Sequence, residues 1–130
     1  MTRPEEPSVI YHIATASDWE QAQASGEYTT STRGRTLAEE GFIHCSAADQ
    51  VAGVANIVYQ GLPDLLVLVI DPGRVRPEIR LDQVPGSDKP FPHIYGPLNT
   101  DAVTETRRFE PGPDGRFHFP AAEQRAAQPD

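Results

Sequence analysis

The sequence predicts an α+β fold of small mixed or antiparallel sheets with two or three short helices. Strand-like and helix-like stretches do not alternate regularly, as they would in a doubly wound sheet. The 13 prolines and 10 glycines are spread along the chain and keep every element short. A length of 130 residues with 38% hydrophobic side chains suffices for one core without staples. The expected organisation is a flexible N-terminus over residues 1–8, one domain over 9–120 and a flexible tail over 121–130, both ends being polar and without apolar period.

Residues 9–14, Val-Ile-Tyr-His-Ile-Ala, are β-branched and aromatic and read as a strand with Ile10 and His12 on one face and Tyr11 and Ile13 on the other. Ser17-Asp18-Trp19-Glu20 has the form of a capping box, and Gly26 suits the end of the short helix it would start. Residues 41–46 read as a second strand running into a helix that Ser46, with Asp49, would cap. In that helix Val51, Val54, Ala55 and Val58 form an i, i+3, i+4, i+7 stripe, the mark of a core-facing surface, and Gly61 closes it. Residues 65–70 are an unbroken apolar run, expected as a central strand buried on both faces, with Asp71-Pro72-Gly73 as its turn. Residues 103–109 alternate, and with residues 116–119 across a Pro/Gly-rich turn they predict a closing hairpin.

Nineteen acidic against eleven basic residues give a net charge of −8, and the arginines of residues 74–80 are interleaved with Val, Pro and Glu. Such a surface repels polyanions, which disfavours nucleic acid and anionic membranes as partners. The longest apolar run is too short to span a bilayer. With one cysteine, Cys45, and no apolar leader, the expected location is the reducing cytoplasm.

Chemistry gathers at three histidines. His12 lies mid-strand, and His44 stands where a strand end meets a helix start, where free backbone N–H groups favour polar or anionic ligand atoms. His93 lies in Lys89-Pro90-Phe91-Pro92-His93-Ile94-Tyr95-Gly96-Pro97, whose prolines stiffen the backbone around a histidine and a tyrosine. These three are expected to converge on one pocket as catalytic groups, with Tyr11, Ser46 and Tyr95 as ligand contacts. Arg33 and Arg35, in a polar stretch, are either a lid over that pocket that also contacts ligand or a solvated loop. Cys45 reads as a small buried hydrophobe rather than a nucleophile.

Tyr11-His12-Ile13, Trp19, Gly26, Gly41-Phe42-Ile43-His44-Cys45-Ser46 with Gln50, and Pro92-His93-Ile94-Tyr95-Gly96-Pro97-Leu98 together resemble the DUF952 family. The resemblance implies a small relative of the ADP-ribosyltransferase and RNA 2′-phosphotransferase fold. In that fold a first-strand histidine contacts the ribose of NAD, a second motif precedes a helix, and a third-strand glutamate steadies an oxocarbenium-like transition state. His12 matches the first motif and residues 44–46 the second. Histidine and tyrosine stand where the third has glutamate, which speaks against ordinary ADP-ribosyl transfer; Asp101 and Glu105, just beyond the motif, are where a substitute carboxylate would be sought if NAD were cleaved.

Three readings follow. The first is an enzyme that takes NAD or a related nucleotide as substrate, with no required cofactor, and cleaves a glycosidic or phosphoester bond through its histidines. The second is a non-catalytic module binding a small metabolite or nucleotide. The third, a metal site of His12, His44 and His93, ranks last because no pair has a common zinc spacing.

Overall fold

A computed structural model describes residues 9–119, so the expected flexible segments, residues 1–8 and 121–130, lie outside the described residues. The fold is α+β, with three short α-helices and antiparallel strand pairing throughout the described residues. Strands β1 (Ile10–Thr15), β6 (Leu65–Ile70) and β10 (Val103–Phe109) form one three-stranded sheet in the order β1-β6-β10. The apolar run of β6 is central and buried, as its composition predicts.

Alternation along β1 and β6 gives this sheet two apolar faces. On one, Ile10, Ala14, Leu68 and Ile70 pack with Tyr28, Ile43, Ile94 and Leu98. On the other, Tyr11, Ile13, Val67 and Val69 pack with Val51 and Ala55 of helix α3 (Val51–Val58) and with Phe109, Phe117 and Phe119. The first face supports a second sheet of β5 (Ile43–His44), β8 (Phe91–Tyr95) and β7 (Glu78–Asp82), in the order β5-β8-β7. No helix among the described residues is long and apolar enough to cross a membrane.

Several local expectations are corrected. Helix α1 (Ala16–Ser25) is capped by Thr15, whose hydroxyl accepts from Asp18 N at 3.1 Å, so Ser17 lies inside the helix; Gly26 ends it at φ 91° as expected. Ser46 does not cap α3. Its backbone instead bridges Tyr11, and the Gln50 side chain reaches back to Ala47 N at 2.8 Å. Gly41 ends a four-residue helix, α2 (Leu37–Glu40), opened by a Thr36/Glu39 capping box. The short strands β2 (Glu27–Tyr28), β3 (Thr30–Thr32), β4 (Arg35–Thr36) and β9 (Leu98–Asn99), with 3-10 turns at Pro72–Arg74 and Thr100–Ala102, complete the described structure.

The closing hairpin is not formed. Residues 116–119 are irregular because the Asn56 side chain on α3 takes both backbone groups of Phe117, at 2.9 and 3.1 Å, leaving them unavailable to β10. Phe117 and Phe119 still deliver their rings to the core. The proline-stiffened segment around His93 is likewise a strand rather than a loop. Pro92 is accommodated because β5 pairs with β8 only at Ile43↔Ile94 and His44↔His93, and beyond them Pro92 contributes its carbonyl to Cys45 N at 3.0 Å.

Candidate functional site

The two sheets touch where β1, an edge strand, meets the segment after β5. Tyr11 and Ser46 exchange backbone hydrogen bonds of 2.9 and 2.7 Å there. A cavity of about 300 Å³ opens beside this junction. It is lined by His12 and Ile13 from the two faces of β1, by His44, Cys45, Ser46 and His93, by Val54, Val58 and Tyr59, and by Thr32, Val84 and Phe91. None of these described lining residues is Asp, Glu, Lys or Arg.

The three histidines arrive by backbone geometry. His44 and His93 are directly paired across β5 and β8, so their side chains share a face and their rings meet edge to face at 5.1 Å. His12, buried at 2% exposure, donates from Nδ1 to the His44 carbonyl at 2.5 Å. A carbonyl can only accept, so the proton sits on Nδ1 and Nε2 accepts from the Tyr28 hydroxyl at 2.9 Å. Burial lowers the His12 pKa to about 4, with the carbonyl bond opposing in part. The ring is therefore neutral and both of its nitrogens are occupied.

His93 is arranged differently. Its ring is stacked on Phe42 at 4.2 Å, and Nδ1 lies 2.8 Å from Asp82 Oδ2. The same oxygen accepts from the Tyr95 hydroxyl at 2.5 Å. Those bonds, the tyrosine's first, hold the Asp82 carboxyl below its usual range, so it is an ionised acceptor and His93 carries its proton on Nδ1. Burial pushes the His93 pKa down, against the pull of Asp82, and leaves the ring neutral at neutral pH. Nε2 then presents a lone pair, and among the described residues it is the buried side-chain polar atom without a hydrogen-bond partner.

His44 stands at the rim, with Nε2 donating to Glu40 Oε1 at 3.2 Å while Arg35 pairs with the other Glu40 oxygen at 3.1 Å. Cys45 is buried and its thiol is pushed upward by that burial, so it packs as a small hydrophobe.

The remaining expected contacts fall elsewhere. Tyr11 is not in the cavity lining and packs on Phe119 instead. Tyr95 does not line the cavity; it reaches His93 through Asp82 and through Phe42, whose ring lies 5.3 Å away, and its own ring lies under the Arg80 guanidinium at 4.4 Å. Arg33 donates to the Val58 carbonyl at 2.8 Å, satisfying the open end of α3, and Arg35 is held by Glu40. Neither arginine lines the cavity. Asp101 bonds Asn99 and Arg76, and Glu105 pairs with Arg107; neither lines the cavity. Val54 and Val58, expected in the core, line the cavity, while Val51 and Ala55 are the buried members of the stripe. The metal reading gains nothing, because among the described residues no group of three or more His, Cys, Asp or Glu side chains could hold an ion.

Sequence reasoning missed Asp82, Tyr28 and Phe42. Asp82 carried a signal, since residues 78–82 alternate as a strand ending in a carboxylate, but nothing local says which histidine it meets.

Residues 13–106 match a family described as "Protein of unknown function (DUF952)". The chain is also similar to protein CC0527 from Caulobacter crescentus. Against its crystal structure the identity is 26% and the TM-score 0.76, over 92% of this chain and 99% of that one. Against its solution NMR structure the identity is 28% and the TM-score 0.69, over 84% and 90%. No curated protein matches the chain.

Proposed function

Because the chain belongs to the DUF952 family, whose description assigns no activity, we propose a function from the site itself: it binds a small organic ligand in the histidine-lined cavity, and His93 Nε2 is the atom that meets it. The observation that carries this is the buried lone pair of Nε2, left without a partner in a cavity-lining residue whose ring is fixed through Asp82 and Phe42. Buried polar atoms are nearly always satisfied, so an unpartnered acceptor in a cavity-lining residue supports a ligand donor as its partner. An imidazole with a carboxylate behind Nδ1 and a free Nε2 can accept a hydrogen bond or take a proton as general base.

The cavity lies at the small end of the range for ligand sites, roughly 300–1,000 Å³. It can enclose one ring system and leaves most of a dinucleotide outside.

The reading in which NAD or a related nucleotide is cleaved at a glycosidic or phosphoester bond, through kinship with the ADP-ribosyltransferase fold, keeps one specific support. His12 of the first motif and Ser46 of the second line the same cavity, joined by the Tyr11–Ser46 bridge. It ranks second because no basic side chain lines the cavity to receive a pyrophosphate, and no carboxylate faces it to steady a cationic transition state. His12 enters that chemistry only if Tyr28 gives up its hydrogen bond.

Thermal shifts of wild type and His93→Leu with nicotinamide, ADP-ribose and NAD test both readings, since a ligand that binds only the folded state raises its melting temperature. A shift in wild type that is lost in His93→Leu is expected. Equal shifts in both proteins overturn the role of His93. Nicotinamide release from NAD that requires His93 promotes the second reading to first.

A further inference from the structure

The cavity's donor and acceptor pattern goes beyond the presence of a ligand to its chemical class. Asp82, ionised and accepting from Tyr95, can offer His93 only an acceptor, so the proton on Nδ1 is fixed and Nε2 can do nothing but accept. His12 cannot serve the ligand instead, because its two nitrogens are spent on the His44 carbonyl and on Tyr28. The surrounding wall is mostly apolar, with Ile13, Val54, Val58, Val84 and Phe91 beside the polar Thr32, Ser46 and Tyr59, and carries no Asp, Glu, Lys or Arg. Arg33 is engaged on the Val58 carbonyl and Arg35 on Glu40, and the lining His44 is already paired with Glu40, so no lysine or arginine lines the wall to meet an incoming anion.

From this we infer that the cavity selects an uncharged, largely apolar ligand that presents an N–H or O–H donor to His93 Nε2, and turns away anions and donorless ligands. The inference rests on the small-ligand reading above. A donorless molecule of the same shape fills the apolar space but leaves the buried acceptor unpaired, whereas a donor-bearing one satisfies it. That mismatch weakens binding by roughly tenfold to a hundredfold. An anion loses its hydration with no countercharge in return.

Three probes built on one ring separate these statements: indole, 1-methylindole and indole-3-carboxylate. Their dissociation constants are measured by calorimetry on the full chain, and nitrogen-15 NMR of His93 shows whether Nε2 gains a hydrogen bond. The expected result is that indole binds at least about tenfold tighter than 1-methylindole and moves the Nε2 resonance, while the carboxylate binds more weakly than either. In His93→Leu the two neutral probes should become equal. Equal affinity of indole and 1-methylindole for wild type overturns the donor requirement while leaving the cavity a ligand site. Tighter binding of the carboxylate overturns the exclusion of anions. Failure of all three probes to enter overturns both this inference and the reading beneath it. The wild-type comparison needs no variant, so a poorly folding His93→Leu does not blunt the test.

Discussion

His12 and His93 are both buried strand histidines on the same cavity, at 2% and 3% exposure, yet one is closed and the other open. His12 links two segments: Tyr28 donates to one side of its ring and the other side donates to the His44 carbonyl, which ties β1 to β2 and β5. His93 is tied on one side only, to a carboxylate 32% exposed, and its other nitrogen is buried without a partner in a residue that lines the cavity. Burial alone therefore does not mark a histidine as functional. What separates the two is whether the fold uses up both nitrogens, and the comparison predicts that His12 serves stability while His93 serves ligand.

The largest effect expected from this difference is on stability. His12→Leu keeps the bulk of the ring but removes a partner from both the Tyr28 hydroxyl and the His44 carbonyl in a buried setting. With roughly 1–3 kcal/mol for each buried group deprived of its bond, the loss should be about 4 kcal/mol in urea unfolding. A loss under about 1 kcal/mol would break the comparison.

A second effect of nearly that size follows from pH. The folded His12 ring takes its proton only near pH 4, whereas an unfolded histidine does so near 6.5. Between those values the unfolded chain binds the extra proton, so the stability is fully present above about pH 6.5 and drains away as pH falls towards 4. The part that belongs to His12, read as wild type minus His12→Leu, should amount to about 3 kcal/mol. Urea midpoints at a series of pH values measure it. A difference that stays flat across this window would show that the ring is not held neutral.

The same contrast marks how far the sequence can be read. Strand β1, the α3 stripe and central β6 were legible because each is long enough to show a period of 2 or 3.6 or an unbroken apolar run. Strands β2 to β4 and helix α2 were not, being only two to four residues long. The hairpin expected at the end failed because Asn56, sixty-one residues away in sequence, captures Phe117. At the site, the histidines stood out by residue type and strand context. Whether each was open or closed did not, since the deciding partners lie at separations of 32 and 16 residues for His12 and 11 for His93. Val54 shows the same limit: its stripe says that the side chain leaves water but not whether it meets core or cavity.

Removing His93 should have a smaller effect on folding than removing His12. His93→Leu deletes an atom that has no partner, and water can replace the ring at the partly exposed Asp82 carboxylate. Its urea-derived stability should lie within about 1 kcal/mol of wild type, while ligand-induced thermal shifts disappear. A loss as large as that of His12→Leu would place both histidines among the structural supports.

The smallest expected change sharpens the comparison most finely, because it touches neither histidine. Tyr95→Phe removes the hydroxyl that is the first cause of the low Asp82 pKa, and keeps a ring on which the Arg80 guanidinium can still rest. Asp82 then has His93 Nδ1 as its remaining side-chain donor among the described contacts, and its charge is less well satisfied. A carboxylate in that state draws more strongly on the imidazole and favours its protonated form. The His93 pKa, pushed down by burial, should therefore move upward in Tyr95→Phe, while that of His12, which has no link to Asp82, stays where it is. Proton NMR titration of the two imidazole Cε1 resonances reads both at once. Movement of His93 alone means that the open nitrogen is tuned from Tyr95 through Asp82; movement of neither means that Asp82 holds the ring in place without setting its basicity.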